Sequence, residues 1–154
     1  AERLVKGRGV SCVYVATAQA WDDEMAERIA RHREDRGAGW ATVDAPLDLP
    51  DALRAADGDG VAILIDCLTL WLSNVMLAEG DVEAACDALL TAVDGMRAPV
   101  VMVSNEVGMG IVPDTPLGRR FRDAQGRLNQ RAAALCDTVA FVAAGLPLIL
   151  KRPA

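Results

Sequence analysis

Val61-Ala-Ile-Leu-Ile-Asp66 is the stretch that decides the fold. Its five apolar residues run without the alternation of a half-exposed strand, so they predict a strand that is buried on both faces of a parallel sheet. The next stretch, Leu68–Leu77, is mostly apolar and long enough for a helix. A buried strand that leads into a helix is the repeating unit of α/β domains, so we expect that architecture.

The alternation of strands and helices continues on both sides of this stretch. Further strands are predicted at Val10–Ala16, Ala41–Asp44, Val100–Ser104, Thr138–Ala143 and Leu146–Lys151. Further helices are predicted at Asp22–Arg36, Asp48–Ala56, Asp81–Met96 and Pro116–Cys136, after the last turns of another helix at Ala1–Val5. We therefore predict a single domain over residues 1–154, in which helices flank a mostly parallel sheet.

The composition is typical of a soluble protein with a substantial core. The chain has 154 residues, of which 52% are hydrophobic, and its formal net charge is -6. Because this charge is negative and Lys6 and Lys151 are the only lysines, we expect no nucleic-acid partner. No apolar run approaches the roughly 18 residues of a membrane-spanning helix, so we expect no membrane partner either.

The cysteines indicate a reducing compartment. Cys12, Cys67, Cys86 and Cys136 are far apart in the sequence and lack the spacing of a metal site. They lie mostly inside apolar runs, which is typical of reduced cysteines in a protein core. We therefore expect a cytoplasmic protein.

The only histidine of the chain, His32, lies in the arginine-rich stretch Trp21–Trp40. Asp22 is a suitable carboxylate N-cap for a helix, and Gly37 is a suitable residue for the end of one. The stretch is therefore predicted to form a helix that carries the histidine in its second half.

Two interpretations of His32 are open at this point. Arg28 and Arg36 lie one turn before and one turn after it on the same side of the predicted helix. Their positive charge disfavours protonation of the imidazole and leaves a neutral ring nitrogen as a nucleophile, while the arginines are candidates for binding nucleotide phosphates. Alternatively, Met25 and Ile29 share a stripe with His32, and a histidine beside an apolar stripe is an ordinary packed or solvated residue.

The loops that follow the strands are a second group of candidates, because ligands of open α/β sheets bind at the carboxyl ends of the strands. Ala16, Thr17 and Ala18 lie at such an end and form either nucleotide contacts or a plain connection. Asp66 ends another strand. It is either an acid that binds Mg²⁺ or the N-cap of the following helix.

A glycine-containing loop, Asn105–Pro113, follows the strand at Val100–Ser104. Its glycines permit a tight turn or a close approach of the backbone to a ligand. Four arginines lie near the start of the next predicted helix, namely Arg119, Arg120, Arg122 and Arg127. Most arginines on a helix are solvated, but the density of this group beside an acidic loop makes a few of them candidates for phosphate binding.

Several segments of the chain occur together in one known family. They are Tyr14–Thr17, Trp21–Ile29 with His32, Asp66–Trp71 with Asn74, Ser104–Pro113, Arg119–Asp123 with Gly126, Asn129 and Gln130, and Gly145–Pro147. The strings Asn-Glu-Val-Gly-Met-Gly-Ile-Val-Pro and Phe-Arg-Asp are the most specific of them. In these segments, which run nearly from end to end, the chain resembles the bifunctional adenosylcobinamide kinase / adenosylcobinamide-phosphate guanylyltransferases of cobalamin biosynthesis.

The resemblance implies a RecA-like P-loop nucleotide-binding fold, a homo-oligomer that is often a trimer, and two reactions. The first phosphorylates adenosylcobinamide with ATP or GTP. The second transfers GMP from GTP to adenosylcobinamide phosphate through a guanylyl-histidine, which corresponds to His32, and releases pyrophosphate. Nucleotide contacts carry over to Ala16, Thr17, Ala18, Arg33, Glu34, Asp35, Arg36, Asp44 and Asp66, and Asp66 is also the implied Mg²⁺ ligand.

One part of the family pattern is missing from this sequence. Relatives have a strand and a Gly-Gly-Ala-Arg-Ser-Gly-Lys-Ser type loop directly before the residues that match Ala1–Leu4, whereas no GxxxxGK[ST] match is present here. We therefore expect the 154 residues to be part of a longer protein. Without that central strand, two neighbouring strands would lack a partner and a groove would remain in the core.

Two other functions also remain open. One is a P-loop small-molecule kinase in which His32 is structural, so that a His32→Ala variant would keep all transfer activity. The other is a nonenzymatic nucleotide-binding domain, which would bind GTP without turnover.

Overall fold

A computed structural model of the chain describes residues 1–7, 11–20 and 22–153. Two compact units are present, one formed by residues up to 105 and one by the residues from 106 onward. The predicted single domain over residues 1–154 stays a prediction.

The first unit contains five helices and four strands among its described residues. The helices are α1 (Glu2–Lys6), α2 (Asp23–Arg36), α3 (Leu49–Ala56), α4 (Leu68–Leu77) and α5 (Val82–Asp94). The strands are β1 (Ser11–Ala16), β2 (Trp40–Asp44), β3 (Val61–Asp66) and β4 (Val100–Val103). Each element lies where the sequence predicts one, although Val10 and Trp21 lie outside the described residues.

The four strands form one parallel sheet in the order β2-β1-β3-β4. β3 occupies an inner position, and its residues Ala62 to Ile65 are almost completely buried. This burial explains the unbroken apolar run, because helices cover the faces of a parallel sheet. The predicted α/β architecture with a mostly parallel sheet flanked by helices is confirmed.

The sheet of the described strands is continuous from β2 to β4. β3 and β4 pair directly in parallel, with Ile63 opposite Val100 and Asp66 opposite Val103. The exposed backbone groups of each strand are satisfied by the other, which removes the cost of leaving them unpaired. The phosphate-binding loop expected before Ala1 stays a prediction.

A hydrophobic cluster fastens α1 to the sheet. Val5 of α1 is 1% exposed and belongs to the same cluster as Tyr14 of β1 and Leu64 of β3. Complete burial of a side chain of this kind contributes roughly 1.5–3 kcal/mol. The cluster therefore holds α1 against β3, with which it is in contact.

The second unit contains a long helix and a hairpin. α6 spans Pro116–Leu135, and β5 (Val139–Ala143) pairs in antiparallel with β6 (Leu146–Lys151). Ala144 and Gly145, which join these strands, both have positive φ angles, of 51° and 76°. Two such residues are typical of the tight turns that match the twist of a hairpin.

Candidate active site

The carboxyl ends of three strands meet at one edge of the sheet. Ala16, the last residue of β1, is in register with Asp44 on one side and with Asp66 on the other. Parallel pairing forces this arrangement, because strands that run in the same direction end at the same edge. Three residues predicted as ligand contacts are thereby brought together.

His32 lies beside this edge on α2. The helix begins as predicted, since the side chain of its N-cap Asp22 accepts a hydrogen bond of 2.8 Å from the backbone N–H of Met25, and it ends before Gly37. The imidazole is exposed, and it lines a cavity of about 330 Å³, which we call the His32 cavity. The other residues that line this cavity are Ala1, Glu2, Arg3, Leu64, Asp66 and Val103.

The His32 cavity therefore brings the predicted nucleophile and the predicted metal-binding acid to one site. The alternative in which His32 is packed against the apolar stripe of its helix does not fit an exposed imidazole. A purely solvated surface residue fits poorly as well, because the ring borders a concave space that a carboxylate also lines.

Asp66 is held by a hydrogen bond that the sequence analysis does not predict. The hydroxyl of Tyr14 donates to Oδ2 of Asp66 at 2.6 Å. The alternative role of Asp66 as a helix cap is wrong, because the N-cap of α4 is Cys67 and no side-chain capping bond is made there. The one available signal was a tyrosine inside a buried strand, since a buried hydroxyl needs a partner.

Thr17 joins the ends of β1 and β3. Its side chain is completely buried, and its hydroxyl donates to the carbonyl of Cys67 and accepts from the N–H of Cys67, both at 2.8 Å. Its backbone N–H donates to the carbonyl of Asp66 at 3.2 Å, and its carbonyl accepts from the side-chain amide of Asn74 at 2.8 Å. The predicted contact residue is thus a structural link between the two strands.

Cys67 itself is not suited to nucleophilic chemistry. Burial raises the pKa of its thiol, and the charge of neighbouring Asp66 acts in the same direction. A protonated thiol is a poor nucleophile, so the histidine remains the better candidate at this edge of the sheet. None of the four cysteines, all of which lie among the described residues, is joined in a disulfide.

The arginines at the end of α2 have two different environments. Arg33 forms an exposed ion pair with Asp44, in which Nη2 lies 2.9 Å from Oδ1 and 3.1 Å from Oδ2. Arg36 is only 4% exposed, and its guanidinium lies over the ring of Tyr14 and donates to Oγ1 of Thr42 at 3.3 Å. The expectation that two open arginines flank the imidazole therefore fails for Arg36.

Three predicted contacts remain. Glu34 and Asp35 lie on α2, and Ala18 lies in the loop after β1. Glu34 lines a second cavity of about 420 Å³ together with Ala20, Ala26, Ile29, Ala30 and Arg33. Asp35 is exposed, and Ala18 is half-buried in the loop after β1.

In the second unit, two of the arginines hold the glycine-containing loop. Nη1 of Arg119 donates to the carbonyls of Pro113 and Asp114, at 3.1 and 2.7 Å, and Nη2 of Arg122 donates to the carbonyl of Gly108 at 2.8 Å. These contacts give both residues a structural role, and phosphate binding by a few of the four arginines stays a prediction.

The described residues contain neither a cluster of metal-binding side chains nor a helix that could span a membrane. Across residues 1–7, 11–20 and 22–153, no three His, Cys, Asp or Glu side chains are grouped so that they could hold a metal ion. Within the same ranges, none of the helices combines the length and the apolar content that a membrane crossing requires.

Comparison with known proteins identifies the family of the chain. Residues 1–150 match the family model described as cobinamide kinase / cobinamide phosphate guanyltransferase. The chain is 44% identical to the bifunctional adenosylcobalamin biosynthesis protein CobP of Pseudomonas aeruginosa over 153 residues, which cover 98% of this chain and 88% of the relative.

Two enterobacterial relatives match over a similar length. The chain is 39% identical to the bifunctional adenosylcobalamin biosynthesis protein CobU of Salmonella typhimurium and 36% identical to CobU of Escherichia coli. Each match covers 98% of this chain and 91% of the relative. The chain therefore belongs to the family of cobinamide kinases / cobinamide phosphate guanyltransferases.

Proposed function

We propose that the chain phosphorylates adenosylcobinamide and then transfers GMP from GTP to adenosylcobinamide phosphate through a guanylyl group on His32. Membership of the family implies nucleotide substrates and a small-molecule acceptor. The observation that carries the finer proposal is the shared cavity of His32 and Asp66. It supplies a nucleophile and a carboxylate to the same bound triphosphate.

The transfer takes place in two displacements. A ring nitrogen of His32 forms a bond to the α-phosphorus of GTP, while the bond between that phosphorus and the bridging oxygen breaks and pyrophosphate leaves. A phosphate oxygen of adenosylcobinamide phosphate then attacks the same phosphorus, the P–N bond breaks, and the free imidazole returns. Splitting one transfer into two steps in this way is the advantage of a covalent intermediate.

The residues present fit a magnesium ion that arrives with a nucleotide. Mg²⁺ is usually bound by one or two carboxylates together with phosphate oxygens and water, and Asp66 is one carboxylate at a strand end. Bound Mg²⁺ neutralises charge on the phosphate oxygens. We assign Asp66 as its protein ligand, with GTP in the transfer and ATP or GTP in the kinase step.

The other site residues fall into two groups in this proposal. Arg33 is the exposed arginine among the predicted contacts. Its ion pair with Asp44 contributes only about 0–1 kcal/mol and opens readily, so its guanidinium is available to a phosphate. Glu34, Asp35 and Ala18 are further direct contacts. Ala16 and Thr17 act indirectly, since their polar groups are engaged within the fold, and so does Arg36, since it is buried against the ring of Tyr14.

Labelling with GTP that carries ³²P at the α-phosphorus tests the proposal on the complete product of the gene. We expect acid-labile, alkali-stable label on the protein, with one pyrophosphate released per label. His32→Ala should remove the label, while Arg31→Ala, an exposed change at the preceding residue of α2, should keep it. Label that persists in His32→Ala would overturn the proposal, as would unlabelled protein that still phosphorylates adenosylcobinamide.

We also propose that the protein is a cytoplasmic homo-oligomer, with a trimer as the preferred form. The hairpin of the second unit exposes large apolar side chains, among them Leu146 at 71%, Leu150 at 69% and Val142 at 61%. Exposed apolar residues grouped in this way are typical of a surface that another chain covers. Light scattering after gel filtration gives the mass in solution, and a monomer at micromolar concentration would contradict this assignment.

A further inference from the structure

Tyr14 does not line the His32 cavity, but it forms a hydrogen bond with Asp66, which does. This is the shortest hydrogen bond described for any residue that lines the cavity. Tyr14 is the only tyrosine of the chain and is 6% exposed. Its hydroxyl donates to Oδ2 of Asp66 at 2.6 Å across a separation of 52 residues. A hydrogen bond of this length to a carboxylate is charge-assisted and stronger than one between neutral groups.

The ring of Tyr14 is clamped between two neighbours. The guanidinium carbon of Arg36 lies 3.4 Å from the ring centroid, and Trp40 packs edge-on with its centroid 6.2 Å away. Both neighbours contact the aromatic ring, and the hydroxyl donates to Asp66. The orientation of the phenol is therefore fixed by packing on two sides.

Arg36 also connects this cluster to the helix that carries His32. It is the last residue of α2 and follows His32 by four residues. Its carbonyl accepts a hydrogen bond of 3.1 Å from Nζ of Lys6, and its side chain donates to Thr42 of β2. The end of α2 is thus fixed to α1, β1 and β2 at once.

The phenol is the donor of the hydrogen bond to Asp66. A tyrosine hydroxyl is protonated at neutral pH, because its ordinary pKa is about 10, and an ionised carboxylate can only accept.

We propose that Tyr14 is a positioning residue for Asp66, and that Arg36, by stacking on Tyr14, sets the placement of Asp66 relative to His32. The hydrogen bond engages Oδ2, so we assign Oδ1 as the oxygen that meets the cation of the bound nucleotide. This inference rests on the proposed function, since it gives Asp66 the metal-binding role stated there. Residues that orient a metal-binding carboxylate in this way commonly change metal affinity 10–100-fold when they are replaced.

The test measures Mn²⁺ binding to the complete gene product in the presence of GTP, from the electron paramagnetic resonance signal of free Mn²⁺. Tyr14→Phe should weaken Mn²⁺ binding by roughly tenfold. GTP binding in EDTA should stay unchanged. Ser11→Ala is the matched control, because it also removes a hydroxyl from β1 but at an exposed position at the other end of the strand. It should leave Mn²⁺ affinity within about twofold.

A double-mutant cycle decides whether the effect passes through Asp66. In an Asp66→Asn background, Tyr14→Phe should cause no further loss of Mn²⁺ affinity, whereas two independent effects would multiply and would overturn the inference. Unchanged Mn²⁺ affinity in Tyr14→Phe would also overturn it, even if His32 is labelled normally. A wild-type protein that acquires no label on His32 would instead refute the proposed function.

A measurement on the wild type covers the case in which Tyr14→Phe does not fold. Because the chain has a single tyrosine, ¹³C at its Cζ gives one NMR signal. Adding Mg²⁺ to the GTP complex should shift that signal, since a cation on Asp66 draws charge from the acceptor oxygen. A signal that Mg²⁺ does not move would count against the positioning role.

Discussion

Thr17 and His32 were both predicted as site residues, yet their environments differ completely. Thr17 is fully buried, and its hydroxyl, N–H and carbonyl all take part in hydrogen bonds with Asp66, Cys67 or Asn74. His32 is exposed on α2 and borders a cavity. The first residue belongs to the framework of the site, and the second is available to a substrate.

The difference shows how a small α/β domain separates rigidity from reactivity. Hydrogen bonds between strand ends fix the edge of the sheet, so that the carboxylate of Asp66 has a defined position before any ligand binds. The imidazole that we propose as the nucleophile lies on a neighbouring helix, where it is exposed. Sites in which a rigid frame supports an open reactive group need little reorganisation during the reaction.

The largest effect on stability is expected for Thr17→Val. The change keeps the shape of the side chain but removes the hydroxyl that bonds both the N–H and the carbonyl of Cys67. Two buried backbone groups would lose their partner, which should lower the free energy of unfolding by about 2–4 kcal/mol. Urea denaturation followed by circular dichroism measures the loss.

Thr91→Val, at an exposed position of α5, is the matched control and should change the free energy of unfolding by less than about 0.5 kcal/mol. His32→Ala should be equally mild, because the imidazole is exposed. If Thr17→Val were as stable as either variant, the division between framework and reactive residues would be wrong.

An intermediate effect is expected in alkaline solution. Burial and the hydrogen bond to Asp66 raise the pKa of Tyr14 in the folded protein, whereas in the unfolded chain this pKa has its ordinary value of about 10. Below that pH both states hold the phenolic proton, so this group contributes no pH dependence. Above it the unfolded state loses the proton and the folded state keeps it, which should reduce the stability of the wild type by roughly 1.4 kcal/mol per pH unit.

Tyr14→Phe isolates this contribution, because other groups that titrate at high pH are common to both proteins. Urea denaturation of both proteins at several pH values from about 8 to 11 should show parallel curves up to the ordinary tyrosine pKa and divergence above it. Curves that stay parallel to the highest pH would mean that the phenol is not protected in the folded state.

The sequence predicted the elements better than the contacts between them. The unbroken apolar run of β3 and the caps of α2 are local signals, and both elements lie where they were expected. The link from Tyr14 to Asp66 spans 52 residues and that from Thr17 to Cys67 spans 50. Such pairs depend on strand order and register, which hydrophobic periodicity does not encode.

Arg36 also shows that a local sequence pattern does not predict long-range contacts. Helical spacing correctly put it on the same side of α2 as His32, but an arginine was expected to face solvent or phosphate. Its guanidinium is buried instead, because the ring of Tyr14 offers it a flat aromatic face. The pairing of β3 with β4 was likewise not predicted, because hydrophobic patterns give no strand order.

The smallest effect on stability is expected for the ion pair of Arg33 and Asp44, whose side chains are 49% and 65% exposed. Arg33→Gln should change the free energy of unfolding by less than about 1 kcal/mol, because solvent screens such pairs. It should weaken GTP binding by roughly tenfold, because one charge-assisted hydrogen bond to phosphate is lost. Isothermal titration with GTP measures the second effect.

Arg54→Gln provides the comparison, because Arg54 forms a similarly exposed pair with Asp51, at 2.6 Å. Arg54 lines neither of the two cavities described above, so its replacement should match Arg33→Gln in stability and leave GTP affinity unchanged. If the two variants bound GTP equally well, Arg33 would be a surface residue with no part in the site. If Arg33→Gln instead lost several kcal/mol of stability, its pair with Asp44 would belong to the framework together with Thr17.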